Sequence, residues 1–405
     1  MVENTAVKTQ TQKVYPLNLL NLVAMGIGSI VGAGIFALLG QVILQAGAMT
    51  YWSFVLAGVA ALFSGYSYAK LAGRYPDSGG LTDYFRIAYP RKAVSGTLTL
   101  IYVITSAVSI SMMAKSFGIY AANFLGETFN YGLTVNLFAT ILIFALSFLN
   151  MLGSSDVGKT ETFLVAVKLL ILLSLVVFAV AKLDYAPDFR DIHPTPIAFL
   201  GSVGITFFAF AGYGIITNAA ADVRHPRRTI AWGIFLTIII VILLYMGLAF
   251  VVLSYIPESE LRRNADVAVA IVAGKLMGQW GYWLLYLTAF IAFVTGINAT
   301  YFSIFRITHS LAHEGILPYF YVKKLWHFGT FGNLLTTVLI WLATVCFDFS
   351  AIVNLASGAY LVSYLAVFVA NWRLRVETGS SPFLIITGLL LMLFILITFI
   401  ISIVI

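Results

Sequence analysis

The sequence predicts an all-α integral membrane protein, and three observations carry that reading. Of its 405 residues, 61% are apolar and only 10% are charged, against roughly 45–50% and about 25% in a soluble domain. A soluble globule cannot hide so much apolar surface, and a disordered chain needs the opposite bias. Stretches such as Thr237–Val252 and Phe383–Ile405 carry no charge, and a spanning helix needs about 20 apolar residues. The apolar residues run on instead of alternating in short segments, which excludes a membrane β-barrel.

Eleven spans follow along the chain. The first, 18–46, comes after a polar tail, 1–17, and has no small-residue cleavage site, so it reads as an uncleaved span. The second, 49–73, ends at a polar stretch, 74–95, that holds Pro76, Gly79, Gly80 and a basic cluster of Arg86, Arg91 and Lys92. Spans at 96–122, 132–152 and 158–182 complete a first group of five, 18–182. A second group, 197–371, comprises 197–221, 229–255, 281–311, 331–347 and 349–371, and an eleventh span lies at 383–405. The connection Pro257–Trp280 has room for a short surface helix. No linker marks a second, soluble domain.

Charge sets the expected orientation. With the N-terminus in the cytoplasm, sixteen of the 23 Lys and Arg fall in inner segments and five in outer ones, while Lys115 and Lys168 fall inside spans. The acidic residues divide evenly, so the bias is in the cations alone, as the positive-inside rule requires. Eleven spans then put the C-terminus outside the cell membrane. The formal charge of +7 sits in loops that meet anionic lipid headgroups and asks for no nucleic acid. A single cysteine, Cys346, excludes an internal disulfide and a cysteine-based metal cluster.

Two spans are interrupted. The first holds four glycines between Gly26 and Gly34, each weakening a helix by about 1 kcal/mol relative to alanine. Peptide groups exposed in this way are tolerated in a membrane only against protein or a wet cavity. A broken helix also offers a positive end to a carboxylate without any charged side chain. The same letters serve close packing, since Gly28 and Gly32 form GxxxG. A dinucleotide site is excluded because no strand precedes the glycines. The sixth span repeats the feature at Phe207–Gly214. The pair lies five spans apart and so runs in opposite directions, the layout of an inverted repeat with a midplane site.

Lys168 lies nine residues from Lys159, about 13–14 Å along a helix, too deep to reach the inner face easily. An ionisable residue at that depth points to function; the bland reading is a stem packed in protein with its head in water. Lys115 is nearer the outer end of its span and reads as a snorkelling residue. His309, His313 and Glu314 have the spacing of a helical metal site, yet they end the eighth span beside Arg306, where a solvated helix end explains them. No Ser/His/Asp set and no H-E-x-x-H is present, so nothing points to an enzyme, a metal or a cofactor.

The run from Gly28 to Phe36 resembles the first-span signature of amino acid–polyamine–organocation (APC) transporters. Further matches come in family order: Tyr75-Pro76 with Ser78, Gly79 and Gly80, then Phe207–Tyr213, Asp222–Thr229 and Glu314–Pro318. They cover about residues 18–325. Lys168 and Gly214 make the prokaryotic proton-dependent amino-acid transporters the most similar branch. The resemblance implies a LeuT-like repeat of five plus five spans with an added eleventh, where members commonly have twelve. It implies a substrate carboxylate held by N–H groups near Ile30, Gly32, Ala33 and Gly34. The substrate ammonium would meet carbonyls near Phe208, Ala209 and Ala211, with Phe208 as an aromatic cover and Thr105, Ser109 and Thr300 as further contacts. A protonated Lys168 would stand where sodium-coupled relatives hold an ion, donating to first-span carbonyls and to Thr295. The implied activity is proton-coupled import of neutral L-amino acids by alternating access, with an amino acid, protons and membrane lipid as partners. A proton-independent exchanger and, from another class, a membrane sensor or scaffold are its rivals.

Overall fold

A computed structural model describes residues 17–76, 80–126, 130–152, 157–182, 194–325 and 329–404. Residues 1–16 of the expected tail, with Ser78 and Gly79, lie outside these. Among the described residues, nine helical stretches are long and apolar enough to cross a membrane, and two shorter apolar helices accompany them.

The first span is two helices. α1 (Leu19–Ile30) is opened by a reciprocal capping box, in which Asn21 N–H donates to Asn18 Oδ1 at 2.9 Å and Asn18 N–H to Asn21 Oδ1 at 3.2 Å. α2 (Ala33–Ala46) follows after Val31 and Gly32 and stops at Gly47, φ 51°. α3 (Thr50–Arg74) comes next, and the polar stretch beyond it folds as the short α4 (Leu81–Ala88). α5 (Lys92–Leu125), α6 (Tyr131–Met151) and α7 (Val157–Ala181) follow, α5 starting four residues before the expected span.

The sixth span is likewise divided. α8 (Pro196–Ala209), with Pro196 in its first turn and Thr195 as cap, gives way to a 3-10 segment, Tyr213–Asp222. α9 (Pro226–Tyr255) leads to α10 (Glu258–Asn264) and a 3-10 turn, Ala265–Val267. α11 (Ala268–His313) is broken at Gly278, φ 68° and ψ −158°, so residues 268–277 form a separate arm. The connection 257–280 therefore holds more helix than a single surface element. α12 (Phe331–Cys346), α13 (Phe349–Arg373), α14 (Arg375–Thr378) and α15 (Pro382–Val404) complete the chain.

Packing is densest where small residues let backbones meet. α5 is a hub against α6, α11, α12 and α13, while α3 packs on α9 and α8 on α15. A Cβ at Gly118 of α5 would stand 2.2 Å from the Val135 carbonyl oxygen of α6. Lys115 corrects its snorkelling reading. Its ammonium donates to Asn136 Oδ1 at 2.8 Å and to the Thr344 carbonyl at 2.9 Å, so it ties α5 to α6 and to the last turn of α12, whose carbonyls lack intrahelical donors. The two ends of the bundle are fastened differently. At the α4 end, Arg86 pairs with Asp83 and Glu314 and donates to Ser310 Oγ at 2.8 Å. Leu17 N–H donates to the Asp222 carbonyl there at 2.8 Å.

The glycine contacts give a stability test. Gly118→Ala gains helix propensity but drives a methyl into α6 backbone, and overpacking of this kind costs about 1–3 kcal/mol. Gly358→Ala meets nothing closer than 3.6 Å. The detergent-solubilised melting temperature is expected to fall for the first and to hold or rise for the second; equal shifts would contradict the packing described.

Candidate functional site

The two helix breaks face each other. Val31 N–H still bonds the Ile27 carbonyl at 2.7 Å, and Gly32 N–H turns back to the Ile30 carbonyl at 2.8 Å. The opening amides of α2, from Ala33 and Gly34 onward, have no acceptor within their helix. Opposite, Phe210 N–H and Ala211 N–H close the end of α8 on the Phe207 and Phe208 carbonyls at 3.0 and 2.9 Å. Gly212 has φ 127°, a conformation that side-chain-bearing residues rarely adopt, and a Cβ there would lie 2.8 Å from Ser29 Oγ. A Cβ on Gly34 would lie 3.0 Å from Ala209 Cα. The breaks thus touch at two points, Gly212, where the backbone asks for glycine, and Gly34, where a side chain would crowd Ala209.

Tyrosines satisfy what the breaks leave open. The Tyr245 hydroxyl of α9, fully buried, lies 3.1 Å from the Ile30 carbonyl oxygen and 3.2 Å from that of Ala209. One hydroxyl proton therefore serves the C-terminal ends of both α1 and α8. From the other side the Gly212 N–H points to the Tyr364 hydroxyl at 3.4 Å, and Tyr213 donates to Ser64 Oγ at 2.7 Å. Sequence reasoning missed Tyr245. A signal existed: it is the one residue with a polar side chain between Thr237 and Ser254, and a buried tyrosine hydroxyl usually finds a partner.

A cavity of about 830 Å³ runs from the breaks to the α4 end. Gly32, Gly34, Phe208, Ala209 and Ala211 line it, as do Ile30, Ser109, Thr295 and Thr300. Its charged lining residues are Asp83, Arg86 and Arg306, which stand toward the α4 end. Phe208 stacks on Tyr360 with ring centroids 5.0 Å apart. Thr300 and Thr295 spend their hydroxyl protons on their own helix, at Gly296 and Ile291, both 2.8 Å away. Thr105 stands elsewhere: its hydroxyl bonds the Ile101 carbonyl of α5 and meets Ser363 of α13 at 2.9 Å, and the neighbouring Ser106 lines the cavity. Toward the α10 end the path is shut by rings. Phe36 meets Phe293 at 6.4 Å, Phe293 meets Tyr120 at 5.3 Å, and Tyr120 donates to the Phe36 carbonyl at 2.9 Å.

A model of the family described as amino acid permease matches residues 17–405. The chain belongs to the amino acid permease family. The permease is 40% identical to an inner membrane transport protein, YbaT, of Escherichia coli, over 96% of this chain and 90% of the relative. It is 24% identical to the branched-chain amino acid permease BcaP of Bacillus subtilis, over 90% and 82%. It is 26% identical to a vacuolar cationic amino acid transporter of Arabidopsis thaliana, over 75% and 54%. It is thus an APC-family amino acid transporter, a multi-pass membrane protein and not an enzyme.

Lys168 sits on α7, 3% exposed. It shares its face with Val165, Leu172, Leu175 and Ala179, all buried, at the three- and four-residue steps of one helical stripe. That face packs on α1 and α11, which separates Lys168 from a lysine reaching for the membrane surface. The histidine pair ends α11: His309 and His313 are exposed, with their Nε2 atoms 3.0 Å apart. Among the described residues no group of three metal-ligating side chains forms.

Tyr245→Phe tests the bridge between the breaks. It takes the hydroxyl donor from the buried Ala209 carbonyl and leaves that of Ile30 with the Gly32 N–H alone, at nearly constant shape and a cost of about 1–3 kcal/mol. A lower melting temperature and an uptake rate down about tenfold are expected; unchanged uptake would show that the breaks hold without it.

Proposed function

We propose that the permease imports neutral L-amino acids together with protons, by alternating access of two inverted five-span repeats, 18–182 and 197–371, with 383–405 added outside them. The observation that carries this is the meeting of two broken helices on one cavity, with a buried lysine on the helix that packs against the first of them. The cation bias puts the α4 end in the cytoplasm, so the cavity is open inward and the aromatic layer closes the outside.

The substrate carboxylate takes the opening amides of α2 at Ala33 and Gly34, beside Gly32. The ammonium takes carbonyl groups around Phe208, Ala209 and Ala211, and Phe208 covers the pair. Ile30, Ser109 and Thr300 complete the wall. Neutral side chains fit because, among the described residues, Asp83 is the carboxylate that lines the cavity, and it is paired with Arg86. Met112 and Met113 line it too, and methionines adapt to side chains of different shape. One methylene in such a pocket is worth only about 1–3 kcal/mol, so breadth among apolar amino acids is expected.

Lys168 couples the proton. Charged, it donates toward first-span carbonyls and to the hydroxyl oxygen of Thr295, holding α1 and α11 together. Losing its proton releases them and favours opening to the cytoplasm, so its charge biases a two-state equilibrium. Lys168→Met is expected to keep substrate binding and lose accumulation driven by a pH gradient in proteoliposomes. Uptake that needs sodium, or a preference for arginine, would sink the reading, as would full pH-driven accumulation by Lys168→Met.

Orientation is tested separately with single cysteines in a Cys346→Ala background. Arg224 and Arg263 are both exposed, whereas Ala265 is buried against α2 and would make a poor reporter. An impermeant thiol reagent on intact cells is expected to label Arg263→Cys and spare Arg224→Cys. The reverse pattern would turn the molecule over.

A further inference from the structure

One polar contact fastens the shut end of the permease. Gln41 of α2 donates from Nε2 to Oδ1 of Asp266 at 2.7 Å. Next to it the backbones meet, since a Cβ on Gly40 would lie 2.1 Å from the Ala265 carbonyl oxygen. Neighbouring residues, 40–41 and 265–266, thus dock the outer half of the first broken span on the Ala265–Val267 turn, outside the spans.

Asp266 is partly buried there, and the charges around it are committed elsewhere. α2 has no charged residue. On α10, Arg262 pairs with Glu258, and Glu260 pairs with Lys275 of α11, while Arg263 is exposed. Lys115, the charged residue toward this end of α5, is held by Asn136 and Thr344. The titratable groups that face the carboxyl are Tyr120 of α5 and Tyr131 of α6, with Tyr286 of α11 beyond Tyr120. Among the described residues no cation compensates it.

We propose that Asp266 is an outer-face proton site that governs closure of the gate: neutral, it lets α2 settle on the Ala265–Val267 turn, and ionised, it favours their separation. The inference rests on the alternating-access reading above. Burial pushes the Asp266 carboxyl up from its usual value, with the Gln41 hydrogen bond pulling the other way. Separation returns water to the group and restores its ordinary value, about 4. The closed gate therefore binds the proton more tightly. Closure is favoured as outside pH falls through the raised value, and the gain is complete below the ordinary one. The proton enters from outside and leaves to the outside when the gate reopens. It regulates the gate without being carried across, which separates it from the proton at Lys168.

The test reads gate opening directly, with no substrate and no gradient. Ala289 is fully buried on α11, one turn before Phe293, which packs on Phe36 of α2. Ala289→Cys in a Cys346→Ala background reacts with an impermeant maleimide only when the outer gate opens. Its rate is divided by that of exposed Arg263→Cys, which cancels the pH dependence of thiol reactivity. Between about pH 7.5 and 5.0 the ratio is expected to fall at least about threefold, and with Asp266→Asn to stay low and vary less than about 1.5-fold. A ratio that is flat or rises on acidification overturns the proposal with Asp266 intact, even where the Asn variant fails to fold. An Asn variant that keeps the full pH response overturns it too. If the response persists where pH-driven accumulation is absent, coupling at Lys168 falls and the gate proposal stands; the converse result separates them the other way.

Discussion

Breaking a helix inside a membrane strands peptide groups that lipid cannot hydrate, and the centre of this permease follows from where those groups find partners. The two breaks are turned so that the carbonyls of Ile30, which also accepts the Gly32 N–H, and of Ala209 reach the same hydroxyl of Tyr245. Their polarity is thereby sorted. Carbonyl ends are satisfied within protein, and the opening amides of α2 are left to the cavity. Exposed amides of this kind can meet a charged group with dipoles alone. They avoid the desolvation of a fixed charged side chain, which is costly in low dielectric and leaves an unpaired ion whenever the site is empty.

The ends of the bundle are built from different interactions, which makes them separable. One is sealed by edge-on rings around Phe36, Tyr120 and Phe293, each pair worth about 0.5–1.5 kcal/mol beyond burial. The other is held by the Arg86, Asp83 and Glu314 ion pairs, which are partly exposed and so worth about 0–1 kcal/mol each. Ring contacts are short-ranged and are lost once helices part by about an ångström, whereas ion pairs in water exchange partners at little cost. The firmer seal at α10 and the looser mouth at α4 match the state described, closed at one end and open at the other.

Most of the architecture was legible because lipid imposes it. Helix length, the two glycine breaks and the burial of Lys168 agree with one-dimensional counting. What escaped was rotation about helix axes. A helix surrounded by apolar neighbours shows no contrast between its faces, and one residue is a turn of 100°. Thr105 and Ser106 differ by that step, and only the second lines the cavity. Lys115 was placed by depth, yet its partners come from α6 and α12, distant in sequence. Gly278 breaks α11 in a stretch whose neighbours, Met277 and Gln279, give no turn signal.

The two readings of the first-span glycines, close packing and an open site, divide by position instead of competing. A Cβ on Gly26 would meet Thr237 Oγ1 at 2.7 Å, and one on Gly28 would meet Val165 at 2.3 Å; these are packing glycines. At Gly32 the nearest atom is 3.8 Å away, and there the helix is unwound. Packing serves the site all the same. Val165 lies one turn before Lys168 on the same stripe of α7, so the contact that fills Gly28 also fixes the lysine beside the break. A shift of α7 would then reach α1 through the Val165 side chain packed on Gly28, with no loop between them to absorb it.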